Sequence, residues 1–121
     1  MNIVAYLRVV PSDNARQALD HQKERIETFS RQQGWQMISV FEEVSRADLA
    51  LAERPRLMEA IACTDSGMAL VVVRLDRLSS QTRLLEEIVE ALALRGAVLK
   101  AVQGSSDPKD IRPTLEITNS M

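Results

Sequence analysis

The 121-residue chain is poor in the residues that most metal, redox and stacking chemistry needs: one Cys, one His, one Trp, one Tyr and two Phe. A lone Cys63 excludes a disulfide framework, and one Cys with one His leaves too few ligands for a zinc site. Cys63 falls in an apolar helical pattern with Leu57, Ala60 and Ile61. It reads as a small buried residue rather than a nucleophile, because His21 stands far from it in sequence. No apolar run approaches the ~20 residues of a membrane span. The opening Met1-Asn2-Ile3-Val4 lacks the basic and then apolar regions of a signal peptide. A soluble, cytoplasmic protein with no membrane partner is therefore expected. The four glycines, at 34, 67, 96 and 104, build no Gly-rich phosphate loop after any apolar run. Basic excess is also lacking: 15 Lys and Arg against 17 Asp and Glu give a net charge of −2. A free-standing DNA-binding domain usually carries a surplus of positive charge to neutralise phosphates. Any nucleic-acid contact must come from a local patch of arginines.

What the chain does have is a regular alternation of apolar runs and helical patterns. Its length suits one α/β domain with one core. Ile3 to Val10 is a nearly continuous apolar run, as expected for a strand buried on both faces of a parallel sheet. Pro11-Ser12-Asp13-Asn14 supplies turn and cap chemistry. From Ala15 to Gln33, Ala15, Leu19, Ile26 and Phe29 recur at helical spacing, and Gly34 ends the helix. Met37 to Val44 reads as a second strand, and Ser45 to Glu53 breaks the pattern. Pro55 opens a short helix to about Thr64. Ala69 to Leu75, with three consecutive valines, is the clearest buried-strand signal. A long helix spans about Ser80 to Arg95, and Ala97 to Val102 is the last strand. This order predicts a three-layer, doubly wound α/β fold with a mostly parallel sheet of about four strands. Residues 1–103 form that domain. Residues 104–121 are a loop and then, from Thr114, the opening turns of a further helix.

In open α/β sheets, ligands meet the carboxyl ends of the strands. Arg8 and Ser12-Asp13 fall there after the first strand, and Arg46, Arg54 and Arg56 after the second. Arg74-Leu75-Asp76-Arg77 and Ser79-Ser80 follow the third. Guanidinium forks match phosphate oxygens bidentately, so this arginine set suits a phosphate clamp. Solvated loop arginines with scattered ion pairs are the plainer alternative. Of the remaining residues, Trp35 reads as a packing residue at the strand entrance and His21 as a solvated helix residue. The Leu84, Leu85, Ile88, Val89, Leu92 set reads as the buried face of a helix, with part of it open to a partner.

Four segments resemble serine recombinases of the resolvase and invertase kind. Tyr6-Leu7-Arg8-Val9 is similar to the Tyr-x-Arg-Val-Ser that opens the family. Gln17-Ala18-Leu19-Asp20-His21-Gln22 is similar to its Gln-x-Leu-Asp-x-Gln. Glu53-Arg54-Pro55-Arg56-Leu57 resembles the Arg-Pro-x-Leu after its mobile loop, and Val73-Arg74-Leu75-Asp76-Arg77-Leu78-Ser79 resembles its Leu-Asp-Arg-Leu strand end. The motifs stand in the family's order and cover about residues 1–103. The resemblance implies DNA as partner, a homo-oligomer or a hetero-oligomer with another recombinase, and chemistry without metal, cofactor or small-molecule substrate. In that chemistry a serine attacks a phosphodiester and becomes phosphoserine while arginines neutralise the developing charge. Carried over by position, Arg8, Arg54 and Arg77 match three of those arginines and Asp76 the accompanying acid. Gln17 and Gln22 match glutamines near the site, and Ser45 a serine of the mobile loop.

Two departures matter. Val10 occupies the position of the nucleophile, and Ser80 that of another arginine, three residues after Arg77. The segment from Val9 to Gln17 is also about three residues longer than usual, so two readings of Ser12 stand: a displaced nucleophile, or an N-cap of the first helix. The resulting expectation is a recombinase catalytic-type domain without cleavage activity. The alternatives are an active recombinase using Ser12, and a non-catalytic regulatory or partner-binding module on the same fold. A flavodoxin-like binder is disfavoured because no Gly-rich phosphate loop follows any strand, and a phospho-receiver because no acidic pair follows the first strand. Arg8, Arg54 and Arg77 are expected to turn toward one open edge, with Arg54 held away from the others on a mobile loop.

Overall fold

The computed structural model of the chain describes residues 1–108. The helix anticipated from Thr114 lies outside them. The elements run β1 (Asn2–Val9), α1 (Ala15–Gln33), β2 (Gln36–Val44), a 3₁₀ turn (Leu51–Glu53), α2 (Pro55–Cys63), β3 (Ala69–Val72), α3 (Leu75–Leu78), α4 (Thr82–Leu94) and β4 (Val98–Ala101). The four strands form one sheet in the order β2-β1-β3-β4, and every pairing is parallel. The expected doubly wound α/β architecture is the one observed.

The pleat divides the core. In β1, Ile3, Ala5, Leu7 and Val9 pack with Ala69, Val71 and Val73 against Leu19 and Ile26 of α1. Val4 and Tyr6 point the other way, with Leu70 and Val72, onto α2, α3 and α4. Alternation of side chains along each strand thus feeds two separate apolar layers, one per face. The apolar residues of α4 largely face the sheet: Leu84, Leu85, Ile88 and Leu92 are buried, while Val89 is half-buried. Gly34 caps α1 in the left-handed conformation at φ 72°, where a Cβ is disfavoured. Trp35 packs edge-on against Phe29, ring centroids 5.5 Å apart.

Two expectations need correction. Cys63 is exposed rather than buried. Leu57, Ala60 and Ile61 form the buried stripe of α2, and Cys63 sits two residues, roughly 200°, beyond Ile61. The third strand is also shorter than its apolar run: it ends at Val72, and Leu75 begins α3. Leu75 and Leu78 are both buried, because the spacing i, i+3 presents them to one side of a helical turn.

Candidate functional site at the carboxyl ends of β1 and β3

The chain leaves β1 toward β2 on one side and returns past it to β3 on the other. The loops after β1 and β3 therefore diverge to opposite faces, with α1 on one and α2 and α4 on the other. This opens a crevice above the β1–β3 pair, the place where doubly wound sheets bind ligands. Arg8 lies at the end of β1 and Arg77 in α3 just after β3, so both border it.

Arg8 is nearly buried. Its Nε donates to the Arg77 carbonyl at 2.8 Å and its Nη1 to the Ser45 carbonyl at 2.5 Å. Burial, reinforced by the charges of Arg54 and Arg77, draws the Arg8 guanidinium below its ordinary pKa. Arg54 has no solvent exposure at all. Its two Nη atoms donate to the carbonyls of Leu78 and Ala47. The two guanidiniums thus make parallel bridges from α3 to the segment following β2: Arg8 from Arg77 to Ser45, Arg54 from Leu78 to Ala47. The mobile, withdrawn Arg54 expected from sequence is not what the structure has. It is an internal strut, because the carbonyls left free at two chain turns accept from both Nη atoms, while its buried Nε has no partner among the described residues.

A buried carboxylate stands beside this pair. Glu43, on β2, accepts from the Tyr6 hydroxyl at 2.6 Å and from the backbone N–H groups of Arg56 and Leu57 at 3.0 and 3.3 Å. It serves the free amides at the N-terminus of α2, next to Pro55. Burial and the Glu43 carboxylate push the Tyr6 phenol far above its ordinary pKa, so Tyr6 remains a neutral donor.

Gln22, on α1, pairs with the backbone of Arg8. Its Oε1 accepts from the Arg8 N–H at 3.2 Å, and its Nε2 donates to the Arg8 carbonyl at 3.0 Å. The Val9 carbonyl accepts from Ser45 on the β2 side, so Arg8 presents its backbone groups to the opposite edge. β3 pairs with β1 only at Ile3, Val4 and Ala5. The carboxamide replaces the strand that β3 does not provide there. A small void lined by Tyr6, Arg8, Gln22, Arg74, Arg77 and Leu78 connects these groups.

The other sequence-selected residues are placed as follows. Asp76 forms a two-point ion pair with Arg74, 2.8 and 2.6 Å, at the surface, and Arg74 holds its carboxyl below the ordinary range. The Arg77 side chain is exposed, with no hydrogen-bond or ion-pair partner among the described residues. Gln17 is exposed on α1. Ser12 is exposed, and its Oγ accepts from the Asn14 N–H at 3.3 Å. Asn14 itself takes the N-cap position. Val10 is 54% exposed, immediately after β1. Ser80 is exposed just beyond α3. Among the described residues, no three His, Cys, Asp or Glu side chains converge as a metal site would require, and no helix is long and apolar enough to cross a membrane.

The family model for the resolvase N-terminal domain matches residues 3–118. The chain belongs to the resolvase N-terminal domain family. Solved structures of the same fold include the C-terminal catalytic domain of ISC1926 TnpA, an IS607-like serine recombinase. That structure is 18% identical with a TM-score of 0.71, over 99% of this chain and 77% of that one. The N-terminal catalytic domain of TP901-1 integrase is 22% identical with a TM-score of 0.70, over 98% and 90% of the two chains. A resolvase-family site-specific recombinase from Streptococcus pneumoniae is 17% identical with a TM-score of 0.62, over 98% and 84%. The integrase-like protein y4lS of Sinorhizobium fredii is 34% identical over 68 residues, which is 56% of this chain and 37% of that protein. The chain thus spans little more than a third of this curated relative's length.

Within the resolvase-type frame, the residues missed by sequence reasoning are Glu43 and Tyr6, the carboxylate–phenol pair beneath the arginines. Tyr6 lay inside a quoted motif, but only as a letter of it. The signal for Glu43 was a carboxylate interrupting the apolar run of β2, one residue before Val44.

Proposed function

We propose that this resolvase-family domain is derived from the catalytic domain of a site-specific DNA recombinase, and that it engages DNA and other recombinase subunits without cutting DNA. The observation that carries the reading is Val10. It stands at the carboxyl end of β1, where the family resemblance places the nucleophilic serine, and its side chain has no atom that can attack phosphorus. Support also comes from Ser80, a neutral group where the resemblance places an arginine, and from Arg8 and Arg54, whose donors serve backbone carbonyls. A degenerate subunit of this kind fits a role in pairing with an active recombinase, or in holding a site without strand scission, inside the cytoplasm where DNA is found.

The competing reading makes Ser12 the nucleophile. Its Oγ accepts from the Asn14 amide, which suits a turn-forming serine two residues ahead of the helix cap. The deciding experiment traps covalent protein–DNA adducts on a denaturing gel, using a supercoiled substrate that carries the cognate site. No adduct is expected from the unmodified chain. An adduct that disappears in Ser12→Ala makes Ser12 the nucleophile and overturns the proposal.

A further inference from the structure

The two outer strands of the sheet end it in different ways. β4 is four residues long. Its Val102 N–H turns inward to the Val72 carbonyl, and the outward N–H of Ala101 donates to Ser106 Oγ, 2.8 Å away in the following loop. That edge is short and capped. β2, at the opposite edge, runs nine residues without a proline. The Ser45 N–H donates inward to the Val9 carbonyl at 2.9 Å. By the alternation of a strand, Val44, Glu42 and Val40 turn their N–H and C=O groups away from β1. These groups have no partner among the described residues. A row of unpaired backbone donors and acceptors is a template for another extended chain.

An open groove of about 360 Å³ lies at this edge, lined by Val40, Phe41 and Glu42 of β2, Lys23 of α1 and Arg56 of α2. Val40 belongs to the apolar layer under α1 and Phe41 to the layer under α2. The groove therefore straddles the strand instead of lying on one face of the sheet. Ile38 and Val44, toward the two ends of β2, are 46% and 49% exposed. Glu42 is held by Arg16, whereas Lys23 has no ion pair among the described residues.

We propose that the free edge of β2 is a self-association surface, where β2 of a second copy pairs antiparallel to extend one sheet through both molecules. Two-fold pairing consumes both free edges and closes the assembly. Charge and geometry select the register. Centred on Glu42, the pairing would set the two Glu42 carboxylates directly opposite, which is unfavourable. Centred on Val40, it would place Glu42 opposite Ile38, the residue that the irregular β1–β2 register skips. Centred on Phe41, Val40 of each copy meets Glu42 of the other, and each such pair exchanges two backbone hydrogen bonds. The two Phe41 rings then meet across the axis. Exposed Ile38 comes beside exposed Val44 of the second copy, and Glu42 enters the groove next to the second copy's Lys23. β2 lies outside all four segments that resemble the recombinases, and the proposal depends neither on DNA nor on the loss of cleavage.

The test is sedimentation velocity of the whole chain without DNA, from micromolar to millimolar concentration, together with amide hydrogen exchange. A reversible monomer–dimer equilibrium is expected. In the dimer the Val40 and Glu42 amides should exchange slower by about tenfold or more, while the Ser45 amide, bonded within the sheet, should not change. Lys23→Glu alone brings two carboxylates together at each end of the pairing, and Glu42→Lys alone brings two ammoniums together. Each should weaken the dimer about tenfold, and an equimolar mixture of the two variants should recover it, because opposite charges then meet at both ends. Protection of the Ser45 amide confirms that each variant is folded. A chain that stays monomeric throughout overturns the proposal. So does a dimer in which the Val40 and Glu42 amides still exchange fast, or a mixture that associates no better than either variant alone.

Discussion

Arg54 brings a guanidinium to a place without solvent, and the cost is offset in part by two carbonyl groups belonging to different turns of the chain, its Nε being left without a partner among the described residues. Losing the guanidinium leaves those carbonyls without their donors in the interior, and a buried polar group stripped of its partner costs about 1–3 kcal/mol. Arg54→Ala should therefore lower the unfolding free energy by about 3 kcal/mol, measured by urea denaturation. Arg54→Lys discriminates charge from geometry. A single ammonium cannot span both the Leu78 and the Ala47 carbonyl as a fork does, so Lys should recover less than half of the loss. Full recovery by Lys would mean that charge alone, and not the bridge between the two turns, is what the position supplies. The burial of Arg54 was not legible in the sequence. Hydropathy places arginine at the surface, and the compensating acceptors are main-chain oxygens that no side-chain pattern encodes.

At the scale of elements, strand β1 outruns its neighbour β3, and Gln22 completes the edge that is left. A backbone N–H and C=O facing a strand that is absent must find another partner or water. Gln22→Ala should accordingly speed hydrogen exchange at the Arg8 amide by at least tenfold while leaving Ala5, inside the β1–β3 ladder, unchanged. Equal acceleration at both amides would point instead to global destabilisation. Gln22 was visible in the sequence as a letter of a family motif. Its work on the backbone of Arg8 was not, because it depends on where β3 stops. That stop is hidden in the sequence: Val73-Arg74-Leu75 prolongs the apolar run, yet Leu75 and Leu78 are spaced for a helical turn, and the turn prevails. By contrast α1 was legible to its ends, Ala15 and Gln33, since a turn sequence precedes it and the left-handed Gly34 closes it.

For the whole molecule, the fold followed from the alternation of strands and helices, whereas the proposed loss of cleavage rests on two positions that the fold tolerates without difficulty. Val10 and Ser80 are both exposed, so nothing in the core selects for them, and both can be reverted without repacking. Restoring one should still do little. A serine at position 10 regains the nucleophile, but the phosphorane it forms carries charge that a neutral residue at position 80 leaves under-neutralised. Removing one such charge stabiliser costs roughly 10²–10³ in rate, and residues that act as a unit are not additive. The expectation is that Val10→Ser alone gives no adduct above the unmodified chain. Val10→Ser with Ser80→Arg, made in the same chain, should give a detectable one. The measurement is the same denaturing gel with a supercoiled substrate. As much adduct from the single variant as from the double would show that Arg8 and Arg77 suffice, and that Ser80 had no part in silencing the site.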